Sequence, residues 1–88
     1  MKEFSLIARR QVQKDLASID RRYRDKIIQS IEQLAQEPYP QGSRKILSTE
    51  MTYRIRVGDY RIIYMIDDKN RQITIQYVRH RKDAYKNL

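Results

Sequence analysis

Arg54, Arg56 and Arg61 carry the first chemical signal in this chain, because they alternate with apolar residues in the run Tyr53-Arg54-Ile55-Arg56-Val57-Gly58-Asp59-Tyr60-Arg61-Ile62. Alternation sends every second side chain of a strand to the same face. Gly58-Asp59 is a two-residue hairpin signal, suited to a primed turn that needs φ > 0. Such a turn pairs Val57 with Tyr60, Arg56 with Arg61 and Ile55 with Ile62. Like charges directly opposite each other destabilise a strand pair by about as much as favourable pairs stabilise it, ~0.2–1 kcal/mol. No acidic residue alternates into that face within these strands. The chemistry that suits the arrangement is the holding of an anion, since the planar guanidinium fork grips phosphate oxygens in bidentate fashion. The plainer alternative is a set of solvated arginines splayed into water.

A second group follows in Val78-Arg79-His80-Arg81-Lys82-Asp83-Ala84-Tyr85. His80 is the only side chain here whose unperturbed titration falls near neutrality. Tyr85 acts as a base only where neighbouring cations bring its phenol down from about 10. Structural roles are the alternative for both: His80 finishing a strand, Tyr85 packing back on the core. With no cysteine, disulfides, thiolate metal sites and thiol nucleophiles are excluded, and a single histidine excludes a two-histidine mechanism.

The charge balance points the same way. The net charge is +8, and it is unevenly spread. Residues 1–38 carry eight Lys/Arg against six Asp/Glu, whereas residues 39–88 carry eleven against five. A sequence pI near 10.0 fits the footprint of a nucleic-acid-binding domain. No apolar run approaches the length of a membrane span, and no leader-like h-region follows Met1, so a cytoplasmic protein that binds no membrane is expected.

The elements that must position these groups can be read from periodicity. At 88 residues the chain is expected to form one domain, 1–88, around one modest core. Residues 2–7 read as a short strand with Phe4 and Leu6 inward. A short helix is expected over 9–18, with Ala8, Val12 and Leu16 on one stripe. Asp20 suits the N-cap of a second helix over 21–37, which gathers Tyr23, Ile27, Ile31, Leu34 and Ala35 on one face with Ile28 beside them, until Pro38 stops it. Residues 38–43 form a turn-rich connector. The period then switches to two, giving the hairpin, a polar turn at Asp67-Asp68-Lys69-Asn70, a third strand through Ile73, Ile75 and Tyr77, and a short C-terminal helix or tail from about Asp83. Two N-terminal helices on one face of a small, largely antiparallel twisted sheet is the α+β architecture these elements allow.

Strict alternation assigns the two faces. Tyr53, Ile55, Val57, Tyr60, Ile62, Tyr64, Ile66, Ile73, Ile75 and Tyr77 are expected against the helices. Arg54, Arg56, Arg61, Ile63, Met65, Thr74, Gln76, Val78 and His80 are expected on an uncovered, cationic and partly apolar face.

The run from Tyr53 to Tyr64, followed by Val78-Arg79-His80-Arg81-Lys82-Asp83-Ala84-Tyr85, resembles the RelE branch of the RelE/ParE toxin superfamily. Lys45-Ile46-Leu47-Ser48 resembles the lysine-leucine motif before its sheet, and the resemblance covers essentially the whole chain. It implies a toxin of a toxin–antitoxin pair that cleaves mRNA in the ribosomal A site, with an acidic, partly disordered RelB-like antitoxin as partner. The implied reaction uses no metal or other cofactor: the ribose 2′-OH attacks the adjacent phosphorus, leaving a 2′,3′-cyclic phosphate and a 5′-OH. That requires a base on the 2′-OH, charge stabilisation at phosphorus and an acid for the leaving oxygen. By position, the resemblance gives Arg61 the transition-state charge, Arg81 the leaving-group side and Tyr85 the 2′-OH, with Lys45, Arg54 and Arg56 binding RNA. Arginine hardly ever gives up a proton, so Arg54 and Arg56 suit clamping rather than proton transfer. The glycine usual before the His-Arg pair is Arg79 here, and the motif's glycine is Ser48, which leaves His80 open to share the acid–base role. Two other readings stand beside this one: a ParE-like inhibitor of DNA gyrase with no catalytic groups, and an RNA-binding module without turnover.

Overall fold

A computed structural model describes residues 3–46 and 51–82. Their elements run β1 (Ser5–Ala8), α1 (Arg10–Ala17), α2 (Arg21–Gln33), β2 (Arg44–Lys45), β3 (Thr52–Val57), β4 (Tyr60–Asp67) and β5 (Gln72–His80). The sheet order is β1-β5-β4-β3-β2. Four of the strands pair antiparallel, but β1 runs parallel to β5, with Leu6 opposite Ile73 and Ala8 opposite Ile75. The sheet is therefore mixed. A chain that leaves a first strand through two helices returns to its neighbourhood in either direction, so nothing local in 2–7 specified the parallel pairing.

Asp20 caps α2 as its sequence suggests, its side chain accepting from the Arg22 backbone N–H. The helix is shorter than the Pro38 stop implied. From Leu34 to Gln36 the amides bond back three residues, to Ile31, Glu32 and Gln33, and the α-helix tightens into single turns before the proline arrives. Ile27 and Leu34 are buried and Ile31 partly so, whereas Ile28 and Tyr23 are exposed, Tyr23 to 44 %. Tyr23 thus departs from the buried face expected for it.

The core lies between the helices and one face of the sheet. Val12, Ile19, Ile27 and Leu34 pack with Ile55, Ile62, Tyr64, Ile66, Ile73, Ile75 and Val78, and Phe4, Leu6 and Leu16 join from the margin. Tyr64 is fully buried and its hydroxyl donates to the Pro38 carbonyl at 3.0 Å, while burial pushes its pKa up to about 12. With Tyr53 stacked on Tyr64, Tyr39 edge-on to Tyr53, and the Tyr39 hydroxyl donating to Asp68 at 2.8 Å, tyrosines fasten the 38–43 connector to the sheet.

The β3–β4 hairpin has the expected register throughout: Val57 faces Tyr60, Arg56 faces Arg61 and Ile55 faces Ile62. Gly58 sits at φ +59°, and Asp59 is not among the positive-φ residues, the φ pattern of a II′ turn. The third strand departs from strict alternation. Ile62 pairs with Val78 and Ile63 with Tyr77, but Tyr64 pairs with Ile75, so Gln76 is an extra residue in β5. A β-bulge of this kind exchanges the faces of everything beyond it. Val78 and His80 consequently lie on the helix side, Val78 buried in the core, and Tyr77 turns to the far side. The apolar β-branched residues at 73, 75 and 78 carry that signal, a step of two followed by a step of three.

Candidate nucleic-acid interface

The far face of the sheet is built in cross-strand rows. At the hairpin end Arg56, Arg61 and Arg79 stand side by side across β3, β4 and β5. The next row runs Arg44, Arg54, Ile63, Tyr77. The third holds Thr52, Met65, Thr74 and Ile7. Five arginines share two adjacent rows. Among the described strand residues, the carboxylate on this face is Asp67, at the opposite end, where it accepts from the side chain and backbone of Asn70. Those hydrogen bonds, the side-chain one first, hold its carboxyl below the usual range. The sheet thus separates charge along its length.

The repulsion between Arg56 and Arg61 is met locally. Arg56 Nε donates to the Gly58 carbonyl at 3.3 Å, and Arg61 Nη1 reaches the same oxygen at 3.5 Å and the Tyr60 carbonyl at 3.3 Å. Two cationic side chains therefore converge on one backbone acceptor at the turn. The neighbouring Asp59 carbonyl accepts the Arg81 backbone N–H at 2.7 Å, which ties the segment after β5 to the same turn. The Arg79 guanidinium carbon lies 4.1 Å from the Tyr77 ring centroid, a cation–π contact on the same face. The hairpin turn is the hub that gathers Arg56, Arg61 and Arg81. Such a set can hold an anion with several charge-assisted donors.

The face is not bare. Ile63 is fully buried yet stands outside the helix-side core, and Thr52 is buried as well, while Met65 and Ile7 are exposed. An apolar strip therefore backs the cationic end.

The candidate residues separate accordingly. Arg54, Arg56 and Arg61 share the far face, and Arg81 is anchored at its hairpin end. Lys45 pairs with Tyr53 and so lies on the other side, with Arg44 in the place opposite Arg54. His80 pairs with Tyr60, its ring edge-on to Tyr60 at 5.6 Å, and lines a shallow recess on the helix side with Asp15, Ser18, Ile19 and Val78. The expected place of His80 beside the arginines is corrected by the bulge at Gln76. Its Nδ1 accepts the Lys82 backbone N–H at 3.3 Å. Tyr85, Asp83 and the Leu47-Ser48 part of the lysine-leucine motif lie outside the described residues. Arg44 and Arg79 were missed: a two-residue edge strand has no periodicity to read, and Arg79 was hidden by the bulge.

The helix-backed mixed sheet is a fold found among known proteins. The model of the ParE toxin of type II toxin–antitoxin systems matches residues 6–85. The chain belongs to this family of type II toxins, within the RelE/ParE toxin superfamily. It is 28 % identical to a Methanocaldococcus jannaschii protein named as toxin RelE1, over 97 % of this chain and 98 % of that one. The RelE–RelB complex from Pyrococcus horikoshii contains a chain 29 % identical to this one, with a TM-score of 0.81, covering 93 % of this chain and 99 % of that one. The RelB–RelE complex from Methanococcus jannaschii gives 28 % identity and a TM-score of 0.75, covering 90 % and 94 %. Both of these solved structures are complexes of a RelE chain with RelB. No described helix is long and apolar enough to cross a membrane.

Proposed function

We propose that this toxin is a metal-independent endoribonuclease that cleaves mRNA in the ribosomal A site and so blocks translation. The observation that carries the reading is the convergence of Arg56 and Arg61 on the Gly58 carbonyl, with Arg81 tied to the same turn. The two weak donations to a neutral carbonyl are readily exchanged for stronger ones to a phosphate oxygen, because charge on the acceptor roughly doubles a hydrogen bond. The 2′-OH attacks the adjacent phosphorus, the bond to the 5′-oxygen breaks, and the products are a 2′,3′-cyclic phosphate and a 5′-OH. Arg61, between Arg56 and Arg79 in its row, stabilises the negative charge that builds at phosphorus. Arg54 and Arg44 hold the backbone in the adjacent row, and Arg81 serves the leaving-group side. Tyr85 takes the 2′-OH proton in this reading, and the helix-side place of His80 supports giving it no more than a supporting part.

The matched family carries the ParE name, and this favours keeping one second reading, a gyrase inhibitor on the same fold. Induced expression followed by mapping of mRNA 5′ ends, beside a gyrase supercoiling assay, separates the two. Discrete new 5′-OH ends with normal supercoiling are expected. Inhibited supercoiling with intact mRNA would replace the nuclease reading with the second one.

A further inference from the structure

We propose a second RNA contact, on the helix side of the same hairpin end, where a nucleotide flanking the cleaved phosphate stacks on a row of aromatic rings; the inference rests on the nuclease reading. Tyr23, Tyr60 and His80 form this row, with ring centroids 5.9 Å apart between the tyrosines and 5.6 Å between Tyr60 and His80. Their sources are three different elements: the start of α2, the start of β4 and the end of β5. Tyr23 stands 44 % exposed although its spacing on α2 matches the buried stripe, and the Arg22 guanidinium carbon lies 5.7 Å from its ring centroid. Below the row is the recess lined by Asp15, Ser18, Ile19, Val78, Arg79 and His80. The Asp15 carboxylate there is occupied, one oxygen accepting the Val78 N–H and the other Gln11 Nε2, both at 2.9 Å.

The occupant follows from continuity. Tyr60 and His80 make the cross-strand row that alternates with Arg61 and Arg79, one residue away on the opposite face. A strand of RNA whose phosphate is held by Arg61 therefore needs to turn only around the Gly58–Asp59 end to bring its next bases to the rings. Cationic clamps followed by exposed aromatic faces is the composition that binds single strands, since every base offers a π-face to stack. Core packing explains Tyr60, which is partly buried against the core, but not an exposed Tyr23 ring flanked by Arg22.

The test uses the full chain and single-stranded RNA methylated at every 2′-oxygen, which cannot undergo 2′-OH attack. Affinities for a three-nucleotide and a nine-nucleotide strand are measured by fluorescence anisotropy. Tyr23→Ala is expected to weaken the longer strand about tenfold, the scale of losing one stacked base, and to change the shorter one by less than about twofold. Tyr23→Phe keeps the ring and is expected to bind both as the parent does. Equal losses for the two lengths, or none for either, overturn the stacking site. Arg61→Ala is the control for the underlying reading: it should weaken both lengths. If Arg61→Ala changes neither, the RNA interface itself is wrong; if it weakens both while Tyr23→Ala is silent, only the stacking row is. Loss of antitoxin binding by Tyr23→Ala with unchanged RNA binding would assign the row to a protein partner and overturn the proposal.

Discussion

Arg61→Ala separates a residue kept for charge from one kept for folding. Arg61 makes two side-chain hydrogen bonds in the structure, to the Gly58 and Tyr60 carbonyls, at 3.5 and 3.3 Å. Both are long and near solvent, at the weak end of the ~0.5–1.5 kcal/mol for an ordinary hydrogen bond. Removing the guanidinium also relieves its opposition to Arg56 and Arg79, about 0.2–1 kcal/mol per like-charged pair. The contributions nearly cancel, so stability should change by no more than about 0.5 kcal/mol, as for most surface substitutions. For a domain of this size that is a shift in Tm of at most about 4 °C. Loss of a preorganised donor at the reacting centre, by contrast, costs about 10²–10³-fold in the chemical step. Thermal melting beside single-turnover cleavage of an RNA substrate measures both quantities on one preparation. Wild-type cleavage by a folded Arg61→Ala protein would remove Arg61 from the reaction. A fall in Tm beyond about 8 °C, roughly 1 kcal/mol or more, would show instead that the arginine holds the hairpin together.

Four further outcomes are expected. Tyr85→Phe, which removes only the phenolic proton acceptor, should slow single-turnover cleavage at saturating enzyme by about 10²-fold or more, whereas His80→Gln, its weaker RNA binding overcome by saturation, should stay close to the parent; the reverse result would return the base role to His80. Tyr64→Phe deletes the donor to the Pro38 carbonyl and should cost about 1 kcal/mol in denaturant unfolding. Asp15→Ala strips the acceptor from the Val78 N–H beside the bulge and should destabilise by about 1–3 kcal/mol, while Asp15→Asn, which keeps an acceptor oxygen, should lose less. Asp67 has a folded pKa below its unfolded one, so it stabilises the fold above the unfolded value, and that contribution is lost as acid carries the pH down through the folded value; Asn70→Ala should flatten the acid limb of stability measured between about pH 5 and 2.

The hairpin was legible from residues alone because a two-residue turn fixes register, and register fixes faces. Gly58-Asp59 therefore implies the opposition of Arg56 to Arg61 that the hairpin shows. Asp20 and the Ile27–Leu34 stripe were legible because capping and helical periodicity are local. What escaped was nonlocal or irregular. The parallel pairing of β1 with β5 depends on the path of two helices, and Arg44 sits on a strand too short to show a pattern. Tyr23 obeys the spacing of the buried stripe but lies at the first turn of α2, where its ring meets Tyr60 at the margin rather than the core. The helix-side placement of His80 turned on Gln76 alone.

That extra residue makes the composition of the cationic row a matter of counting. Past Gln76, every side chain of β5 has swapped sides, so a guanidinium at 79 stands beside Arg61 and an imidazole at 80 stands behind the sheet. Without the bulge, Gln76 would pair with Ile63, Val78 would stand opposite Arg61 and Arg79 opposite Tyr60, turning the guanidinium to the helix side with every residue type unchanged. One unpaired residue thus determines whether the row of Arg56 and Arg61 is completed by a third guanidinium or by an apolar valine.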